Sequence, residues 1–179
     1  MRVIAGRLGG RTLTTPRGRN TRPTSDRVRE ALFSILGSVD GARVLDLFAG
    51  SGALAIEALS RGAADATLVD SAPGAVAAIR ANLEALGLEA EVRGQSARAF
   101  LQSARVSARQ YDLVFVDPPY RQAGSLGREL SRILEPVLAA GARVVAESDR
   151  RAPLSLEGLS LADERRYGDT LIRIFHGPR

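Results

Sequence analysis

Apolar residues along this chain fall into two kinds of pattern, short unbroken runs and helical stripes. The runs are Val44-Leu45 with Leu47, Ala66 to Val69, Leu113 to Val116, and Ala142 to Ala146. A run that is apolar at nearly every position, rather than every second one, suits a strand covered on both faces. Strands are therefore expected at 43–47, 66–70, 112–116 and 142–146, with a shorter one at 90–93. Between them the spacing predicts helices over 53–61, 73–86, 97–104 and 126–134, with 135–139 open as an extension of the last. Pro73 suits a first helical turn and Gly87 a helix end. Strands alternating with helices indicate an α/β fold of the Rossmann-like kind, a parallel sheet with helices on both faces. Segments 159–167 and 170–176 read as an antiparallel hairpin turned at Gly168-Asp169, which makes the sheet mixed.

The first part of the chain differs. Residues 2–5 and 11–15 predict two short strands around Gly9-Gly10, and 16–23 a loop. Thr24 or Ser25 caps a helix with Asp26 in its first turn, and Gly37 ends it. Val28, Ala31, Leu32, Ile35 and Leu36 form its buried stripe, with Arg27 and Arg29 off that stripe. Two units are expected: a basic hairpin or arm over 1–23, and a larger domain over 24–179 to which the helix pins it.

Charge sharpens this division. All 25 basic residues are Arg, and residues 1–29 hold eight of them against one acid, Asp26. The remaining residues hold 17 Arg and 19 acids, so the net charge of +5 is a local device. Clustered Arg suits phosphate, which makes nucleic acid the expected partner. Arg2, Arg7, Arg11, Arg17, Arg19, Arg22, Thr24 and Arg27 are the candidate contacts. There is no Cys and one His, His176, so thiolate chemistry, most zinc sites and Ser-His-Asp triads are excluded. The absence of Lys removes Schiff-base chemistry. No apolar run approaches the roughly 20 residues of a membrane span, and no signal peptide is evident, so a cytoplasmic location is expected.

Candidate chemistry lies first at Arg43 to Gly52, a buried strand breaking into the glycine turn Phe48-Ala49-Gly50-Ser51-Gly52 that opens a helix at Ala53. Such a turn offers backbone N–H groups and lets a ligand approach closely. Gly50 to Ala55 matches a dinucleotide fingerprint, and Asp70 lies where a ribose-binding acid belongs. Asp46, four residues before Gly50, would meet a pyrophosphate with a carboxylate. S-adenosylmethionine carries no phosphate and has a cationic sulfonium and ammonium, so Asp46 favours that cofactor over NAD.

The second motif is Asp117-Pro118-Pro119-Tyr120, at the end of the expected fourth strand. Ligands of open α/β sheets bind at the carboxyl ends of the strands, so this tetrapeptide is expected beside the glycine turn. Two prolines remove N–H donors, leaving carbonyls, the Asp117 carboxylate and a flat ring. Acceptors with a stacking ring suit an exocyclic amine on a nucleobase. Holding its hydrogens on Asp117 and the Pro118 carbonyl frees its delocalised lone pair for attack on a sulfonium methyl, and Tyr120 stacks on an extruded base. Asp117 is also placed to take the proton, before or after transfer.

Together Asp46 to Gly52 and Asp117 to Tyr120 resemble the class I S-adenosylmethionine-dependent amino-methyltransferases of nucleic acids. The opening Met1-Arg-Val-Ile-Ala-Gly-Arg7 and the stretch Arg22 to Leu36 are similar to the RsmD family, over nearly the whole chain. Members methylate the N2 amine of a guanine in 16S ribosomal RNA. The resemblance implies a seven-stranded sheet with a small N-terminal hairpin, and a substrate in the small ribosomal subunit or its assembly intermediates. It assigns Asp46, Phe48, Gly50 and Gly52 to the cofactor loop, with Ala49 and Ser51 between them. It assigns Asp70, followed by Ser71, to the ribose, and Asp117 to Tyr120 to catalysis. Arg22, Pro23 and Thr24 match a signature near the active site. Where many relatives have an acid near the adenine, this chain has Gln95-Ser96-Ala97, so Ser96 or Gln95 takes that place. A monomer without bound metal is expected. The competing functions are a DNA adenine-N6 or cytosine-N4 methyltransferase, a non-catalytic RNA-binding assembly factor, and an NAD-dependent oxidoreductase.

Overall fold

The computed structural model describes residues 1–16, 25–119 and 123–178. Seven strands form one sheet in the order β3-β2-β1-β4-β5-β7-β6. They are β1 (Arg43–Leu47), β2 (Asp65–Val69), β3 (Glu91–Arg93), β4 (Tyr111–Val116), β5 (Leu138–Asp149), β6 (Ser160–Tyr167) and β7 (Thr170–His176). The helices are α1 (Asp26–Leu36), α2 (Ala53–Ser60), α3 (Pro73–Leu86), α4 (Ala97–Val106) and α5 (Ala123–Leu134). β1 to β5 run parallel, and β7 joins β5 antiparallel. β6 closes the edge as a mostly exposed, charged strand, which discourages pairing with another chain.

Side chains of alternate sheet residues enter separate cores. Val44, Leu68, Leu113, Phe115 and Val145 pack with α1, α2 and α3 on one face. Leu45, Leu47, Val114, Val116 and Val144 pack with α4 and α5 on the other. This division decides which strand-end residues share a site. Among the described residues no helix is long and apolar enough to cross a membrane.

Three local expectations differ from the structure. Residues 2–5 and 11–15 make one antiparallel bridge, Arg2 with Thr12, instead of two strands, around a short 3-10 turn at Gly6–Leu8. The reason is that the N–H groups of Ile4 and Ala5 donate to the Glu57 carboxylate of α2 (2.7 and 3.0 Å), not to a partner strand. The N–H of Leu8 donates to Ser60 Oγ at 3.0 Å, so the segment lies against α2. Arg29 is wholly buried instead of facing solvent. Its guanidinium donates to the Arg2 carbonyl at 2.5 Å and to Asp26 at 2.7 Å, and lies 4.0 Å from Glu57. The buried face of α1 is thus Arg29, Leu32, Phe33 and Leu36. Finally, β5 runs over twelve residues, well beyond 142–146, with a register shift against β4.

Candidate active site

β1 ends in a turn that only a glycine-rich sequence accepts. Phe48, Gly50 and Gly52 all take positive φ, at +64°, +60° and +79°. At Gly52 an added Cβ would lie 2.8 Å from Leu68 Cδ2, so the residue is fixed by conformation and by space. At Gly50 the nearest atom to an added Cβ is the Phe48 carbonyl oxygen at 3.9 Å, so the turn is open there.

Two carboxylates hold this turn. The N–H of Gly50 donates to Asp70 Oδ2 at 2.9 Å, and the N–H of Ala72 donates to Asp70 Oδ1 at 2.9 Å. The N–H of Ala55, in the first turn of α2, donates to Asp46 Oδ2 at 3.2 Å. Asp46 and Asp70 are both buried. Burial pushes the Asp46 carboxyl up to about 7, with the Asp70 charge adding to the rise and the Ala55 N–H opposing it. The N–H groups of Gly50 and Ala55 are thus engaged by acids, and the buried Asp46 carboxyl at the strand end suits a cationic ligand better than a pyrophosphate.

Asp117 follows β4 on the neighbouring strand. Parallel register aligns Asp46 with Phe115, Leu47 with Val116, and Val116 with Ala146. The next rank across the sheet is Phe48, Asp117 and Glu147. By strand alternation Asp46, Asp117 and Glu147 share the face of α1, α2 and the N-terminal segment. Asp117 is half-buried and its carboxyl lies well above the usual range, raised by burial and then by the charges of Glu147 and Asp46. Pro118 is buried and Pro119 half-buried. Tyr120 lies outside the described residues, as do Arg17, Arg19, Arg22 and Thr24.

Ser71 is exposed just after Asp70. Ser96 is exposed and caps α4, its Oγ accepting from the N–H of Ala99 at 3.2 Å. Of the basic candidates, Arg2, Arg7, Arg11 and Arg27 are all exposed. Arg2 pairs with Asp26 at 3.2 Å, and Arg11 donates to the Ala85 carbonyl at 3.2 Å.

Two residues are unmarked by any sequence pattern. Glu147 is 5 % exposed at the Asp117 rank. Asn82 of α3 donates to the carbonyls of Ser51 and Thr14 (both 2.9 Å) and accepts from the Thr14 N–H at 2.8 Å. Asn82 thereby joins the glycine turn to the N-terminal segment. Each looks like a lone polar position in the sequence, and only the tertiary fold supplies its partners.

Comparison with known proteins places the chain. It is 39 % identical over 181 residues to a protein of Bacillus subtilis named "Putative rRNA methyltransferase YlbH", covering 98 % of each. It is 38 % identical over 181 residues to "Ribosomal RNA small subunit methyltransferase D" of Escherichia coli, covering 98 % of this chain and 89 % of that protein. The solved structure of "Putative methyltransferase yhhF" from Escherichia coli superimposes with a TM-score of 0.83 at 37 % identity, over 99 % of this chain and 98 % of that one. A family model described as "Conserved hypothetical protein 95" matches residues 1–176, and the chain belongs to that family.

Proposed function

We propose that this protein transfers a methyl group from S-adenosylmethionine to the exocyclic N2 amine of a guanine in 16S ribosomal RNA. The observation that carries this reading is one juxtaposition. A glycine turn whose Gly50 N–H is held by Asp70, and whose following helix donates the Ala55 N–H to Asp46, lies one strand from an Asp-Pro-Pro sequence poor in donors. The open cradle at Gly50 and the buried acids fit a cofactor with positive charge and no phosphate. Asp46 would face its cationic end, Asp70 its ribose, and Phe48 to Gly52 would line its path. When bound, S-adenosylmethionine supplies an electrophilic methyl group on a cationic sulfur.

The chain's own residues would prepare the acceptor. Asp117 accepts a hydrogen bond from the guanine amine, and the Pro118 carbonyl accepts a second. Both draw the nitrogen out of conjugation, so its lone pair becomes available. The amine must shed one proton as the new C–N bond forms, and the raised affinity of Asp117 for protons suits it as acceptor. Tyr120 would stack on the extruded base. The names of the relatives support ribosomal RNA of the small subunit over DNA as the substrate. That substrate would place the protein in the cytoplasm, acting as a monomer on the subunit or an assembly intermediate. Residues 1–23 and the start of α1 would form the RNA-binding surface, with exposed Arg7 and Arg27 toward phosphate.

Asp117→Ala tests the assignment. The methylation rate should fall at least about a hundredfold, while cofactor affinity by calorimetry changes less than about threefold. Equal losses in both would remove Asp117 from the chemistry.

A further inference from the structure

Among the described residues every Phe and Tyr ring is buried except those of Phe48 and Tyr167. Phe48 belongs to the cofactor turn, whereas Tyr167, the last residue of β6, has no part in the chemistry above. It is half-buried and packs against the core formed with α1, α2 and α3, so it stands on the Asp117 face of the sheet. Register agrees. Tyr167 is opposite Thr170 of β7, and Thr170 is opposite Asp149 of β5. Directly opposed residues of antiparallel strands share a face, and Asp149 lies beyond the Asp117 rank, further toward the catalytic end. Tyr167 is three strand spacings of about 4.8 Å from β4 and about 7 Å further along, roughly 16 Å from Asp117. Two cations share this face and end. Arg165 is opposite buried Ile172, and its side chain is 53 % exposed with Asp163 at 3.0 Å. An ion pair so exposed is worth little and can yield to phosphate. Arg29 lies 4.0 Å from Glu57, and the Arg61 guanidinium lies 4.8 Å from the Phe33 ring centroid, so α1 runs beside α2 in the same direction. α2 leaves the catalytic end of β1, which puts exposed Arg27 of the first turn of α1 at that end too.

We propose that Tyr167 stacks on a base flanking the target guanine while Arg165 meets an adjoining phosphate, so that the RNA strand runs from the start of α1 over Asp117 to the end of β6. This inference rests on the guanine-N2 reading and adds a second hold on its substrate. Taking the target out of its stack leaves neighbouring bases without a partner on one side. A ring with a free face replaces that partner, and every base has a π-face to offer it. A guanidinium beside the ring supplies the charge that follows the backbone. The hold is therefore tolerant of sequence, and the choice of base stays with the Asp117 motif.

Removing the base isolates the contact. Small subunits are reconstituted on 16S RNA ligated to carry an abasic residue at each nucleotide flanking the mapped target in turn. Methyl transfer is then measured with wild-type protein, Tyr167→Phe and Tyr167→Leu. On intact RNA, Tyr167→Leu should raise KM about tenfold while kcat changes less than about twofold. Tyr167→Phe keeps the ring and should stay within about twofold of wild type in both. One abasic position should raise the wild-type KM about as much, yet add almost nothing in Tyr167→Leu, because both changes remove the same contact. An unchanged KM in Tyr167→Leu overturns the proposal. A KM rise that adds fully to the cost of every abasic position also overturns it, giving the ring to packing or to a ribosomal protein. A wild type indifferent to every abasic position overturns it whatever the variants do. Failure of the guanine-N2 reading itself would look different: no methyl group on guanine N2 in intact subunits with wild-type protein.

Discussion

Asp46 carries the sharpest physical consequence of the site. Folding buries its carboxyl and raises its pKa from 3.8 to about 7. Each unit is worth about 1.4 kcal/mol, so the ligand-free fold holds this proton by roughly 4 kcal/mol more than the unfolded chain does. The sign follows by linkage. Between about pH 4 and pH 7 the unfolded chain has released this proton and the folded protein has kept it. Raising pH through that window removes stability, and the loss is complete above about 7. A cationic cofactor asks for the opposite state, the ionised carboxylate. Its affinity should therefore weaken about tenfold per unit below pH 7, making binding roughly twentyfold weaker at pH 5.5 than at pH 7.5. The ligand's own α-amine stays mostly cationic across that range, since such groups titrate near 7.7 or above. Asp46→Asn keeps an oxygen for the Ala55 N–H and removes the charge. The variant should gain up to about 4 kcal/mol of ligand-free stability at pH 8 and bind S-adenosylmethionine more weakly, without the slope. Urea unfolding and titration calorimetry measure the two quantities. A wild-type affinity flat from pH 5.5 to 7.5, or a slope retained in Asp46→Asn, would refute the role given to this carboxylate.

Two further outcomes are expected. Asn82→Ala leaves the Ser51 carbonyl and both backbone groups of Thr14 without their partner, and should cost about 2–4 kcal/mol in urea unfolding while weakening cofactor binding; unchanged cofactor affinity would mean that the tether does not reach the turn. Arg7→Ala with Arg27→Ala should weaken RNA binding uniformly and lower the log–log salt slope by about two, with stability unchanged; an unaltered slope would place the RNA elsewhere.

Choosing exposed Arg residues matters because deleting the N-terminal segment is not a clean test. Val3 and Leu13 are buried in the main core, and the backbone of residues 4, 5 and 8 satisfies Glu57 and Ser60. Sequence pattern could not reveal this. α2 is buried at every residue, so it has no amphipathic stripe to betray that Glu57 meets another segment. Arg29 was hidden for the same reason: a long cation normally marks a solvent face, and here Asp26 and the Arg2 carbonyl, brought in by the fold, satisfy part of it. The strands bearing the site were legible because each is an apolar run ended by punctuation. Gly50 and Gly52 follow β1, and Pro118 and Pro119 follow β4. α3 runs from Pro73 to Leu86, as its proline and glycine signals require. β5 was only half legible, since Ala139-Ala140-Gly141 carries little strand character; it lies within the register shift between the Leu138 and Arg143 pairings to β4, and the Gly141 N–H donates to the Pro178 carbonyl (2.9 Å). Glu147 and Asn82 stayed unmarked because a buried polar residue is defined by partners distant in sequence.

The central claim is methyl transfer to one guanine amine, and it has a direct measurement. Small ribosomal subunits from a strain lacking this protein are incubated with the purified enzyme and labelled S-adenosylmethionine. Free 16S RNA and duplex DNA are treated in parallel, and the modified base is mapped. The account predicts label on the N2 of a single guanine in 16S RNA, lost with Asp117→Ala. Label on DNA, on another atom of the base, or on no substrate while the cofactor still binds would contradict it.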